Sequence, residues 1–149
     1  PEYSSAASDV YKRQVMMLNG ALGGLVAITA EPLMPTPLMA IIIGGIGGAL
    51  VFAGTELLTA MKIDDVVGAI PVHLIAGVWG TLAVPITNSE TSFGTQFLGT
   101  ASICVFVFVV SIIIWSIMKA TIGIRISEEA EKEGTDVAET GVIAYSIRD

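Results

Sequence analysis

The 149-residue chain is 53% hydrophobic and only 14% charged, with a mean hydropathy of +0.77 and a net charge of −7. Soluble domains carry about 25% charged residues, so this composition argues against one, and the acidic balance argues against a nucleic-acid partner. A single cysteine, Cys104, excludes an internal disulfide and reads as an apolar packing residue.

The placement of charge says more than its total. No acidic or basic side chain falls between Glu31 and Glu56, between Asp65 and Glu90, or between Glu90 and Lys119, which leaves runs of 24, 24 and 28 uncharged residues. A helix that crosses a bilayer needs about 20, and none of these runs shows the polar stripe of a soluble core helix. The fold class is therefore an all-α membrane protein with four hydrophobic segments and a tail.

In chain order, residues 1–14 (PEYSSAASDVYKRQ) share neither composition nor patterning with the rest of the chain. The run SSAASDVYKRQ resembles translated sequencing-adapter DNA, so this stretch is expected to be non-native. Residues 15–119 form the transmembrane domain. Its first segment, about Val15 to Ala30, is Gly-rich and short for a full crossing, as if the start of a helix were missing. Pro32, Pro35 and Pro37 then forbid a continuous helix. The second segment runs from about Leu38 to Ala60, the third from Val66 to Ile86 and the fourth from Phe97 to Met118. The second holds Gly44, Gly45, Gly47, Gly48 and Gly54, the small-residue pattern that lets membrane helices approach closely. Glu56, about a turn from its end, is expected to reach the interface.

Threading the chain through four segments puts all seven basic residues, Lys12, Arg13, Lys62, Lys119, Arg125, Lys132 and Arg148, on one side. The positive-inside rule makes that side cytoplasmic. Trp115 lies one turn before Lys119 and suits an interfacial anchor, whereas Trp79 suits core packing. Residues 120–149 form a cytoplasmic tail that holds seven of the fourteen acids. Ser127 is expected to cap a short helix with Glu128 and Glu129 in its first turn and Gly134 as its stop. Asp136 marks a second start, ended by Gly141.

His73 is the only histidine and falls near the middle of the third segment. An ionisable group at bilayer depth is costly and marks a functional candidate by default. Ala69 and Ile70 precede it on the same face, Ala76 and Gly77 follow, and Gly80 lies beyond. Such small residues imply a pressed neighbouring helix or an open lumen. Pro71 withholds a backbone donor and frees the carbonyl of Val67, which is tolerated where a helix lines a cavity or packs tightly. At that depth the imidazole is expected to be neutral, both donor and acceptor, able to guide a small polar molecule or relay a proton. A core histidine satisfied by a neighbouring carbonyl is the plainer reading. Asp64 and Asp65 stand directly before the third helix and suit its N-terminus. No second histidine and no cysteine at ligand spacing supports a metal site, and no nucleophile–base pair or metal cluster supports an enzyme.

The run DDVVGAIPVHLIAGVWGTL (Asp64 to Leu82) resembles the penultimate-helix signature of the ammonium transporter family, which includes the Rhesus-type proteins. NGALGGLVAITA (Asn19 to Ala30) is similar to that family's earlier motif, and TIGIRISEEAEKEGTDVAETGVIAY (Thr121 to Tyr145) to its cytoplasmic tail. The resemblance implies the last helices of an eleven-helix fold built from two inverted halves, in a multi-pass cell-membrane protein that assembles as a homotrimer with one pore per subunit. It further implies that ammonium loses its proton and crosses a hydrophobic pore past two facing histidines. His73 matches the second of that pair, with Ala69 beside it on the pathway. Asp65, Pro71 and Gly77 would support the pore helix. The first histidine belongs to helices absent from this sequence, so the chain is expected to be a C-terminal fragment that does not conduct alone. No cofactor is implied. In bacterial members a PII-type signalling protein docks on the cytoplasmic face, although Thr140 stands where the family tail commonly has histidine. A membrane ammonium sensor signalling through the tail is the alternative function.

Overall fold

The computed structural model describes residues 2–142, with side-chain surroundings from residue 13 onward. Among the described residues all regular structure is helical: α1 Glu2–Ile28, α2 Pro37–Ala60, a π-helical turn Ile70–Ile75 leading into α3 Ala76–Thr87, α4 Phe93–Thr121, α5 Glu128–Glu133 and α6 Thr135–Thr140. Arg148 and the end of the tail motif at Tyr145 lie outside the described residues, as does the side chain of Lys12. The chain forms two compact units, Pro1–Ile103 and Cys104–Asp149.

Three helical stretches are long and apolar enough to cross a membrane: Pro37–Ala60, Ile70–Thr87 and Phe93–Thr121. They correspond to the second, third and fourth expected segments. The first segment is helical too, but it is the later part of a longer helix that continues back to Glu2. It does not join the three spans, because Asn19 interrupts its apolar run and Arg13 and Gln14 precede it. The third span begins at Ile70 rather than Val66, since Gly68 takes a φ of +74°, which no continuing right-handed helix accepts.

In the first unit, α1, α2, the π turn and α3 pack together. The buried face of α2 is Ile43, Gly47, Val51 and Gly54, which recur at helical spacing. Two apolar clusters form: Ala27, Ile43 and Ala83 in one, Val51, Val72 and Ala76 in the other. Backbone approaches backbone wherever glycine permits. A Cβ on Gly48 would stand 2.9 Å from the carbonyl oxygen of Gly20, and one on Gly24 would stand 3.0 Å from that of Gly44. A Cβ on Gly80 would strike the Ala27 carbonyl, so α3 lies on α1 at that point with no room for a methyl. Small residues contribute here by contact, since lipid leaves little hydrophobic drive for helix association. Thr36 caps α2 by accepting from the Met39 N–H at 3.3 Å, with Pro37 in the first turn where its missing donor is harmless. At the same end, the Asn88 amide donates to Glu31 at 3.0 Å, joining the Pro-rich loop to the end of α3.

Outside these contacts the helices present large apolar side chains. None of the residues of α4 is buried, and Phe97, Phe106, Phe108 and Trp115 are each more than half exposed. An apolar surface of that extent is suited to lipid or further helices, not water.

The tail helices in the second unit begin and end on local signals. Ser127 Oγ accepts from the Ala130 N–H at 3.2 Å, Gly134 closes α5 at φ +101°, and Gly141 closes α6 in the left-handed region. The second start is Thr135, and Asp136 stands in its first turn. Arg125 donates from Nε and Nη2 to the two oxygens of Glu131, each at 2.7 Å. Those hydrogen bonds hold the Glu131 carboxyl below the usual glutamate range and raise the guanidinium.

Candidate functional site around His73

The segment from Asp65 to His73 is built from backbone groups that each find a partner close by. The carboxylate of Asp65 accepts the Ala69 N–H through Oδ1 and the Ile70 N–H through Oδ2, both at 2.8 Å. Its carbonyl accepts the Gly68 N–H at 3.2 Å, and the Gly68 carbonyl accepts that of Val72 at 3.1 Å. Pro71 has no N–H to satisfy. A first turn whose donors would otherwise be orphaned is thereby closed, and a carboxylate suits the positive end of the helix.

Pro71 stands in this first turn, not in the helix interior. The Val67 carbonyl that it leaves without a helical donor is taken instead by the side-chain amide of Asn19 on α1, at 3.1 Å. The same amide nitrogen occupies the space where a Cβ on Gly68 would stand. Gly68 is buried, and at φ +74° against that amide no other residue fits.

His73 lies within the π turn, about one turn from the start of the helix rather than at the middle of the span. It is exposed and has no hydrogen-bond partner among the described residues, so no carbonyl among them satisfies it. Ala69 is exposed with it. The other small residues divide. Ala76 is fully buried against Val51 and Val72, Gly80 is buried against α1, and Gly77 is half-buried, where an added Cβ would meet only Val26 at 3.9 Å. Ala76 and Gly80 seat the helix on α2 and α1, while His73 and Ala69 stay exposed. A cleft of about 360 Å³ is lined by Pro71, Thr55, Thr59, Lys62, Asp64 and Asp65 among others, and His73 is not part of its lining.

Asn19 and Gly68 are the residues that sequence reasoning missed. The available signals were a carboxamide inside an apolar run and a glycine two residues beyond a double aspartate. Trp79 was expected to pack and also donates its indole N–H to the Ile43 carbonyl at 3.0 Å.

The model of the Ammonium Transporter Family matches residues 6–145. Ammonium transporter Amt1 of Haloferax mediterranei is 36% identical over 134 residues, covering 87% of this chain and 26% of that protein. Ammonium transporter Amt2 of Archaeoglobus fulgidus is 35% identical over 150 residues, with 87% and 32% covered. An ammonium transporter of Bacillus subtilis is 36% identical over 154 residues, with 91% and 38% covered. The chain thus spans between a quarter and two fifths of the length of these relatives. A family match over nearly the whole sequence, on a chain with three helices long and apolar enough to cross a membrane, means that the chain belongs to the ammonium transporter family.

Proposed function

We propose that this chain serves ammonium transport across a membrane, with His73 on the wall of a hydrophobic pore that ammonia crosses after ammonium has given up its proton. The observation that carries the reading is the exposure of the one histidine on an element long and apolar enough to cross a bilayer. An intramembrane histidine without a partner among the described residues calls for substrate or a residue from elsewhere. A neutral imidazole offers ammonia an acceptor at one nitrogen and a donor at the other. Ala69 leaves space on the same face, and Asp65, Pro71 and Gly77 support the helix that carries them. The relatives are named ammonium transporters, which favours this substrate and favours transport over catalysis.

The working assembly in this reading is a homotrimer in the cell membrane, completed by helices beyond those of this chain. Residues 1–14 take no part. The Lys62 turn and the tail face the cytoplasm, because the basic residues gather on that side, and the ordered tail gives a PII-type signalling protein a surface to meet.

The test is His73→Ala and His73→Glu in a full-length transporter carrying this segment, reconstituted in liposomes. Alanine should leave trimer assembly intact while changing the ammonium rate or the discrimination against potassium. Glutamate should retain proton handling with altered selectivity. An assembled alanine variant with unchanged rate and selectivity would remove His73 from the mechanism.

A further inference from the structure

The π turn that carries His73 is held from outside its own helix at one polar point. A π turn accommodates an extra residue, is rare, and appears mostly as a single turn at functional sites. Relaxing it to α-helix would shift the preceding residues by one position, about 100° around the axis. His73 would then leave the exposed face that it shares with Ala69. Something must therefore keep the turn from tightening, and the segment's own hydrogen bonds do not link it to a neighbour. The Asp65 carboxylate and the Gly68 and Val72 N–H groups find their partners within residues 65–72. Val72 packs against Val51 of α2, and the polar link to the rest of the bundle is the Asn19 amide, which donates to Val67 and lies against Gly68. Val67 and Gly68 stand before the turn with only Ala69 between, and Asn19 on α1 is 48 positions from Val67.

We propose that Asn19 is a positioning residue: with Gly68 it locks the start of the π turn and so sets the direction in which His73 points. The contact is specific in shape as well as chemistry. Gly68 gives the left-handed backbone that turns the Val67 carbonyl towards α1, and its missing Cβ leaves the space that the carboxamide fills. An acceptor alone at position 19 would not serve, because the group it meets is a carbonyl. The significance for transport rests on the reading of His73 as a pore residue; the lock itself does not.

The test uses the full chain in lipid nanodiscs and reads His73 without any transport assay. Two quantities are measured: amide exchange at Ala69, Ile70 and Val72, and the rate at which diethylpyrocarbonate modifies His73, the only histidine. Asn19→Ala should accelerate exchange at those amides by about fivefold, the effect of one net hydrogen bond, and should change the His73 modification rate. Gly68→Ala perturbs the other side of the same contact and should move both quantities in a chain that keeps Asn19. Asn19→Gln keeps the donor and should recover part of the wild-type exchange. Asn88→Ala, which removes a 3.0 Å hydrogen bond at the far end of α3, should leave both quantities unchanged. Folded Asn19→Ala or Gly68→Ala chains with wild-type exchange and wild-type His73 reactivity would overturn the lock, and a shift of equal size in Asn88→Ala would reduce it to general loosening. Failure of the pore reading would appear separately, as an assembled His73→Ala transporter with normal selectivity.

Discussion

The indole nitrogen of Trp79 donates to the backbone carbonyl of Ile43 at 3.0 Å, joining α3 to α2 inside the membrane-spanning region. The half-buried ring packs against the cluster of Ala27, Ile43 and Ala83. Hydrocarbon offers no water to an unpartnered N–H, so the donor and the ring contribute separately. Trp79→Phe keeps most of the ring and loses the donor, and should destabilise the bundle by about 1 kcal/mol. Trp79→Ala also loses the packing and should cost about 3 kcal/mol. Denaturant titration of the purified chain in detergent, followed by helicity, measures both. Equal stability of the Phe variant and the wild type would mean that the N–H contributes nothing.

Much of this architecture is legible in the sequence, for reasons that differ by element. The three spans announce themselves because charge is absent over a bilayer's length, and no tertiary contact is needed to see that. The tail helices are legible because Ser127, Gly134 and Gly141 act on their own neighbours. The start of the third span is not, because Val66 and Val67 are as apolar as the helix beyond them. What stops the helix there is the backbone sign at Gly68, which composition does not reveal. Asn19 is invisible for a different reason: its partner is 48 residues away, and its value lies in a contact between helices. The small residues around His73 look in sequence like one face. In the folded chain Ala76 and Gly80 serve packing against α2 and α1, and Ala69 alone is exposed beside the histidine.

The tail should lose order at acid pH through one ion pair. Glu131 has its carboxyl lowered chiefly by the hydrogen bonds from Arg125. A carboxyl lowered on folding contributes stability that is present above its unfolded value and lost as the pH falls through the folded one. Arg125 stays charged throughout. The helix α5 should therefore be steady from about pH 5 to 8 and fray below about pH 4. The pair lies at the surface, with the Arg125 side chain 79% exposed and that of Glu131 36%, so added salt should weaken the effect. Amide exchange at Ala130 and Glu131 across the titration reads it. Glu131→Gln should flatten the acid step, and an unchanged step would assign it to the other first-turn acids, Glu128 and Glu129.

The two neighbouring aspartates make a sharper comparison. Asp65 accepts two backbone donors, the Ala69 and Ile70 N–H groups, at 2.8 Å each. Asp64 is exposed and makes no hydrogen bond among the described residues. Asp65→Ala would leave both donors unsatisfied at the start of the span and should cost about 1–2 kcal/mol, as loss of a helix cap does. Asp65→Asn keeps an acceptor but loses the charge at the positive helix end, so its cost should be smaller. Asp64→Ala should fall within about 0.5 kcal/mol of wild type, as an unpartnered surface position does. Exchange at Ala69 and Ile70 should rise in the same order, greatest for Asp65→Ala. In a full-length transporter Asp65→Ala should also lower ammonium flux more than Asp64→Ala, because the turn that frays is the one leading to His73. Equal effects of the two alanine substitutions on exchange and flux would show that negative charge at this end, and not the two-pronged cap, is what the helix requires.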